Sequence, residues 1–162
     1  MASAVLAFAI GCGNTYRPVV SAINPVGPAA QPQKFAVAIS TTGTTANPTP
    51  GLVTFVDFSG DSVLITAQIG VNPYYLILNS GGTTGFTLNS DHTLTTFDVD
   101  TSLLQSNILQ TTLLPGANPV SIFPEGANTY VSDPGLNVIS QFTGQPLNLQ
   151  QELTINPAFT PI

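Results

Sequence analysis

At 162 residues the chain is long enough for one domain with a hydrophobic core. Hydrophobic residues make up 43% of it and charged residues 6%, against a typical charged share of about 25%; this excludes a disordered chain and leaves solubility to Thr, Ser, Asn, Gln and Gly. The net charge is −6 with two cations, Arg17 and Lys34, so neither a nucleic-acid backbone nor an anionic membrane surface meets the several Lys and Arg residues it needs.

The first element in chain order is the apolar run Ala4-Val5-Leu6-Ala7-Phe8-Ala9-Ile10, which ends in Gly11-Cys12. Its length and small-residue ending suit the hydrophobic region of an export signal over residues 1–12. Ala9-Ile10-Gly11-Cys12 resembles a bacterial lipobox, and the resemblance implies a lipid on Cys12, which becomes the mature N-terminus. Ala9 stands where Leu is usual, and no Lys or Arg precedes the run. The alternative use of Cys12 is as a small buried hydrophobe in a short strand. As the single cysteine it allows neither an internal disulfide nor a Cys-based zinc site. Residues 13–32 carry Pro25, Pro28 and Pro32 and read as an extended tether. The expected location is the bacterial periplasm or cell surface, with membrane contact only through the lipid on Cys12. No apolar run approaches the roughly 18 residues of a membrane-spanning helix.

From residue 33 the chain becomes short β-type runs punctuated by Gly, Asn, Asp and Pro, and no segment keeps a helical period. Asn72-Pro73, Asn118-Pro119 and Asn156-Pro157 recur with an apolar run after each, at spacings of 46 (73 to 119) and 38 (119 to 157). A period of about 20 to 50 residues marks a repeat architecture. The units run 33–69, 70–115 and 116–155, and residues 156–162 open another. In the first, strands are predicted at Lys34–Ile39, Leu52–Asp57 and Val63–Ile69. The second places them at Tyr74–Leu78, Gly85–Leu88, Thr93–Phe97 and within Leu103–Leu114. The third places them at Val120–Phe123, Thr129–Ser132, Asn137–Phe142 and Leu147–Ile155. Aligning the units sets Phe86 on Tyr130, Phe97 on Phe142 and Asp57 on Asp98. Four antiparallel strands per roughly 40 residues is the mark of a β-propeller blade. A β-sandwich also uses many short strands, but it does not require one motif to recur with its turn chemistry in register.

Gly116-Ala117-Asn118-Pro119, a hydrophobic strand, Pro124-Glu125-Gly126, then Thr129-Tyr130-Val131-Ser132-Asp133 and Asn137-Val138-Ile139 resemble the YVTN-type β-propeller repeat of YncE-like bacterial surface and periplasmic proteins. Glu125 replaces the family's Asp, and Ser132-Asp133 replaces its Thr-Asn. The second unit has no Pro-Asp-Gly and carries Gly85-Phe86-Thr87-Leu88 at the name motif. The resemblance covers about residues 33 to 162 and implies an all-β fold of four-stranded blades. Propellers close with about four to eight blades. Three units and the start of a fourth therefore lead us to expect a piece of a longer, seven-bladed protein, with apolar edge strands exposed in the isolated chain.

Candidate chemistry is sparse. His92, the only histidine, follows Asp91 in a predicted turn, where an Asp–His pair can serve as acid/base or metal ligand. Neighbours on extended backbone point apart, which favours a solvated turn residue. Asp98-Val99-Asp100 has the spacing of some Ca²⁺ loops without their further carboxylates, and turn or strand-cap roles are favoured. Asp57 and Asp61 flank the turn Phe58-Ser59-Gly60. No G-x-S-x-G elbow occurs, and Gly81-Gly82 and Gly11-x-Gly13 lack the context of a phosphate loop. One of Tyr74 and Tyr75 is expected to be buried. No catalytic, cofactor-binding or metal residue is assigned, and no cofactor is expected. The expected function is a binding scaffold that meets an unknown protein or small-molecule ligand on the propeller face. The alternative is a lactonase-like hydrolase of the same repeat style, whose carboxylates lie mostly in blades outside this chain.

Overall fold

In the computed structural model of the chain, residues 35–44, 46–57, 62–100 and 102–155 are described. The expected export signal, Cys12, the tether over 13–32, Asp61 and the opening strand over 156–162 lie outside the described residues. Apart from one 3-10 turn at Gln105–Asn107, every regular element among the described residues is a strand.

Strands β1 (Phe35–Ser40), β2 (Pro50–Asp57) and β3 (Ser62–Val71) form a first antiparallel sheet in chain order. A middle sheet follows from β4 (Pro73–Leu78), β5 (Thr84–Asn89), β6 (Thr93–Asp98) and β7 (Leu109–Thr112). The third consists of β8 (Ser121–Glu125), β9 (Asn128–Asp133), β10 (Val138–Thr143) and β11 (Asn148–Thr154). Each sheet is a simple meander, as expected where β-type runs are separated by a few turn residues.

Proline placement follows the ladder. Pro73 opens β4 and Pro124 sits within β8, and both strands are sheet edges, paired on one side only. A missing N–H is tolerated there. That is why β8 runs on through Pro124 to Glu125, beyond Phe123, where the sequence reading ended the strand. The turn itself falls at Gly126, whose φ of 58° needs a glycine-type backbone.

Successive sheets stack face to face. Between the first and middle sheets lie Val53, Phe55, Ala67 and Ile69 against Phe97 and Leu103. The Phe55 and Phe97 rings are 6.1 Å apart at 40°, within the favourable range for aromatic pairs. Between the middle and third sheets Phe86, Leu88 and Leu94 meet Ile122, Val131 and Phe142. Burying each such side chain stabilises by about 1.5–3 kcal/mol. The middle sheet is thus covered on both faces, and Gly85 to Asn89 of β5 are all buried. Gly85 is required there because a Cβ would enter the Phe97 ring. On β9 and β10 of the third sheet, burial alternates residue by residue. The two neighbouring inner strands, β4 and β8, lie beside each other. Consecutive antiparallel meanders of three or four strands stacked this way are blades, and the chain is a partial β-propeller with three blades among its described residues.

A polar layer lines the face of the middle sheet toward the first. Buried Asn89 donates through Nδ2 to the Thr95 hydroxyl at 2.8 Å and accepts from the Thr87 hydroxyl at 3.2 Å. Thr95 also accepts the Gly70 N–H of the first sheet at 3.3 Å. No buried side-chain polar atom among the described residues lacks a hydrogen bond, as low-dielectric burial demands.

Candidate functional site

Asn72-Pro73 and Asn118-Pro119 lie where one sheet passes to the next, whereas Asn47-Pro48 lies in the loop between β1 and β2. Asn72 takes a φ of 45°, a left-handed value that Asn tolerates better than most residues, and so turns the chain from β3 into β4. Carboxylates fix both links. Asp91 accepts the Val71 N–H at 3.1 Å through one oxygen and the Thr93 hydroxyl at 2.6 Å through the other. Asp133, which is 3% exposed, accepts the Asn118 N–H at 2.9 Å and the Leu136 N–H at 3.1 Å. Each aspartate stands at the turn between the second and third strands of its sheet and holds the link that feeds that sheet's first strand.

Asp91 and His92 do not act on each other. His92 has a φ of 58°, and its Nδ1 lies 2.8 Å from the Ala117 carbonyl oxygen. A carbonyl only accepts, so Nδ1 carries a proton and donates it to Ala117. Tyr74, also at this edge, donates its phenol to the Pro119 carbonyl at 2.8 Å. Burial, and then the charge of Asp133, push the phenol above its ordinary value of 10.0. Tyr75 is half-buried against the apolar core between the middle and third sheets, whereas Tyr74 is 49% exposed.

These groups frame a cleft of about 370 Å³ between the middle and third sheets, lined by Tyr74, Ser90, His92, Asn118 and Pro119 with Asn89 beneath. Most of its polar atoms are engaged internally. Ser90 donates its hydroxyl to the Asn72 carbonyl at 3.0 Å, and Asn89 is saturated by threonines. The amide of exposed Asn118 and the open nitrogen of His92 are left to face a visitor. The cleft therefore offers a side-chain amide and a ring nitrogen beside an aromatic ring. A second cleft, of about 230 Å³, opens on the opposite edge of the same two sheets, among Asn79, Phe86, Gly126 and Gln145. No titratable side chain lines it.

The remaining candidates are local. Asp100 caps a turn by accepting the Ser102 N–H at 2.9 Å, Asp98 is exposed at the end of β6, and Asp57 ends β2. Among the described residues no three His, Cys, Asp or Glu side chains converge as a cation site. No described helix is long and apolar enough to cross a membrane. In the sequence Asp133 is only the last residue of the Thr129–Asp133 motif, with no sign of its clamp on the link. Alignment gave no signal of it: Asn89 takes the same place at the end of β5 but bonds threonines, and the middle-sheet link is held by Asp91 instead.

No protein-family model matches the chain, and no curated protein sequence does. Solved structures do. Apo AztD from Citrobacter koseri superposes with a TM-score of 0.53 at 18% identity, over 65% of this chain and 30% of that one. A further crystal structure of Citrobacter koseri AztD gives 0.51 at 16% identity, over 70% and 33% of the two chains. The β-propeller domain of Cps50 (Swd1) from Myceliophteria thermophila gives 0.49 at 13%, over 74% and 44%. The chain thus spans about a third of the length of the AztD structures. For the two AztD structures, at these identities, the likeness is one of fold.

Proposed function

We propose that the chain is an exported YVTN-type β-propeller, lipid-anchored at Cys12, that works as a binding scaffold and takes its ligand on the face carrying the Asn-Pro links. The observation that carries this reading is the cleft at Tyr74, His92 and Asn118. Its volume of about 370 Å³ falls in the range of about 300–1,000 Å³ usual for ligand sites. Its frame is held by Asp133, His92 and Tyr74, so the open Asn118 amide is presented from a rigid wall. With Asp91 engaged by Val71 and Thr93, and His92 by Ala117, the site offers recognition groups and no assembled acid/base couple. The YVTN repeat resemblance and the lipobox at Ala9–Cys12 support the surface location.

Two measurements test it. Radiolabelled palmitate should mark the protein in a bacterial host and Cys12→Ser should lose the mark; an unlabelled wild type removes the anchor. Ligand-observed NMR should then find a binder in a panel of sugars, amino acids and lactones, with and without divalent cations. Asn118→Ala should weaken it about tenfold, the scale of one lost hydrogen bond. Turnover of any lactone would overturn the scaffold in favour of a lactonase-like hydrolase.

A further inference from the structure

We infer that the open face of the third sheet docks onto the open face of the first sheet of a second copy of this chain. The two faces are complementary because they repeat an interface the molecule already contains.

The strand registers allow position-by-position comparison. Pairing of Phe35 with Asp57 matches pairing of Thr84 with Asp98. Ala36, Ala38, Thr54 and Val56 on the first sheet therefore stand at the places of Gly85, Thr87, Thr95 and Phe97 on the middle sheet. Those four middle-sheet residues are buried against the first sheet. Their first-sheet counterparts are half-buried or exposed. The classes agree place by place: small residue, small or Thr, Thr, and apolar.

The third sheet supplies the other half. Phe123, Tyr130 and Gln141 share one cross-strand row, as Ile77, Phe86 and Thr96 do on the middle sheet. Ile139 stands at the place of Leu94. The middle-sheet apolar residues of this set are covered by the third sheet, whereas Phe123 is 59% exposed and Leu153, paired with Ile139, is 46% exposed. On the first sheet the same places are held by Val37, Val53 and Phe55, which pack against the middle sheet. The large residues of the open third face thus occupy the positions that meet a Gly85–Phe97 type of surface, and the open first face is that type of surface.

The positions named above carry no charge, and each apolar residue among them gains by burial; Glu125, two residues along β8 on the Phe123 face, ends that strand. The contact is heterologous, with different patches meeting, so it closes into a ring or propagates according to its rotation.

Sedimentation velocity on the full chain tests this, with Phe123→Asp blocking the third-sheet face and Ala38→Glu blocking the first-sheet face. Wild type should associate in the micromolar range and each variant should sediment as a monomer. An equal mixture of the two variants should recover a one-to-one dimer, because each retains the face the other has lost. Far-UV circular dichroism melts confirm that the variants fold; should Phe123→Asp not fold, Phe123→Ser replaces it. A monomeric wild type, oligomers that persist in both variants, or a mixture that stays monomeric overturns the proposal.

Discussion

Asp133 shows how much a single buried side chain decides here. Its two oxygens take the N–H groups of Asn118 and Leu136, one on the link into the third sheet and one in the following turn. Asp133→Ala leaves two backbone donors unpaired and should cost about 2–4 kcal/mol in urea unfolding, whereas Asp133→Asn keeps one acceptor and should recover about half of that. Tyr74 is the titrating counterpart. Its phenol is held above 10.0 by burial and by the charge of Asp133, so folding favours the protonated form. That contribution is complete below pH 10.0 and is lost as pH rises through the folded-state value. Wild type should lose stability as pH rises above 10.0, read as falling urea midpoints, and Tyr74→Phe should flatten that slope. At neutral pH the variant should be about 1 kcal/mol less stable, for want of the bond to Pro119.

At the scale of elements, the Asn-Pro link was legible as punctuation and its mechanics were not. Pro73 and the left-handed Asn72 are local chemistry, visible in the dipeptide. The partners that hold the link, Asp91 for Val71 and Asp133 for Asn118, come from turns 20 and 15 residues away. The edge of β3 is managed in a similar way. Gln105 uses its side-chain amide as a short extra strand, accepting the Gln68 N–H and donating to the Gln68 carbonyl, both at 2.8 Å. An edge left open invites pairing with other chains, so Gln105→Ala should raise the aggregation rate on mild heating, measured by light scattering, more than it lowers the unfolding midpoint. Sheet contact is equally sensitive at Gly85, where the Phe97 ring fills the space of a side chain. Gly85→Val should destabilise by about 1–3 kcal/mol through overpacking, seen as a lower thermal midpoint.

For the whole molecule, stacking explains why the three sheets differ. The middle sheet is buried on both faces and tolerates Gly, Thr and Asn inside because they meet partners across the interface, as Thr95 meets Gly70. The outer sheets keep one open face each, and their large apolar residues Val63, Phe123 and Leu153 remain exposed. Local propensity and turn residues determined the strands by themselves. Strand residues between Gly, Pro, Asn and Asp turns have few alternatives, and β9, β10 and β11 fall within one or two residues of their sequence reading. The Asn-Pro period likewise determined that the units repeat. Tertiary structure alone decided which residues form the cleft and what His92 does. Its ring is tied to Ala117, 25 residues away, and no pattern in the sequence marks that pairing. Strand order is written in short-range steric preferences, whereas the site arises from contacts between sheets, which exist only once the stack has formed.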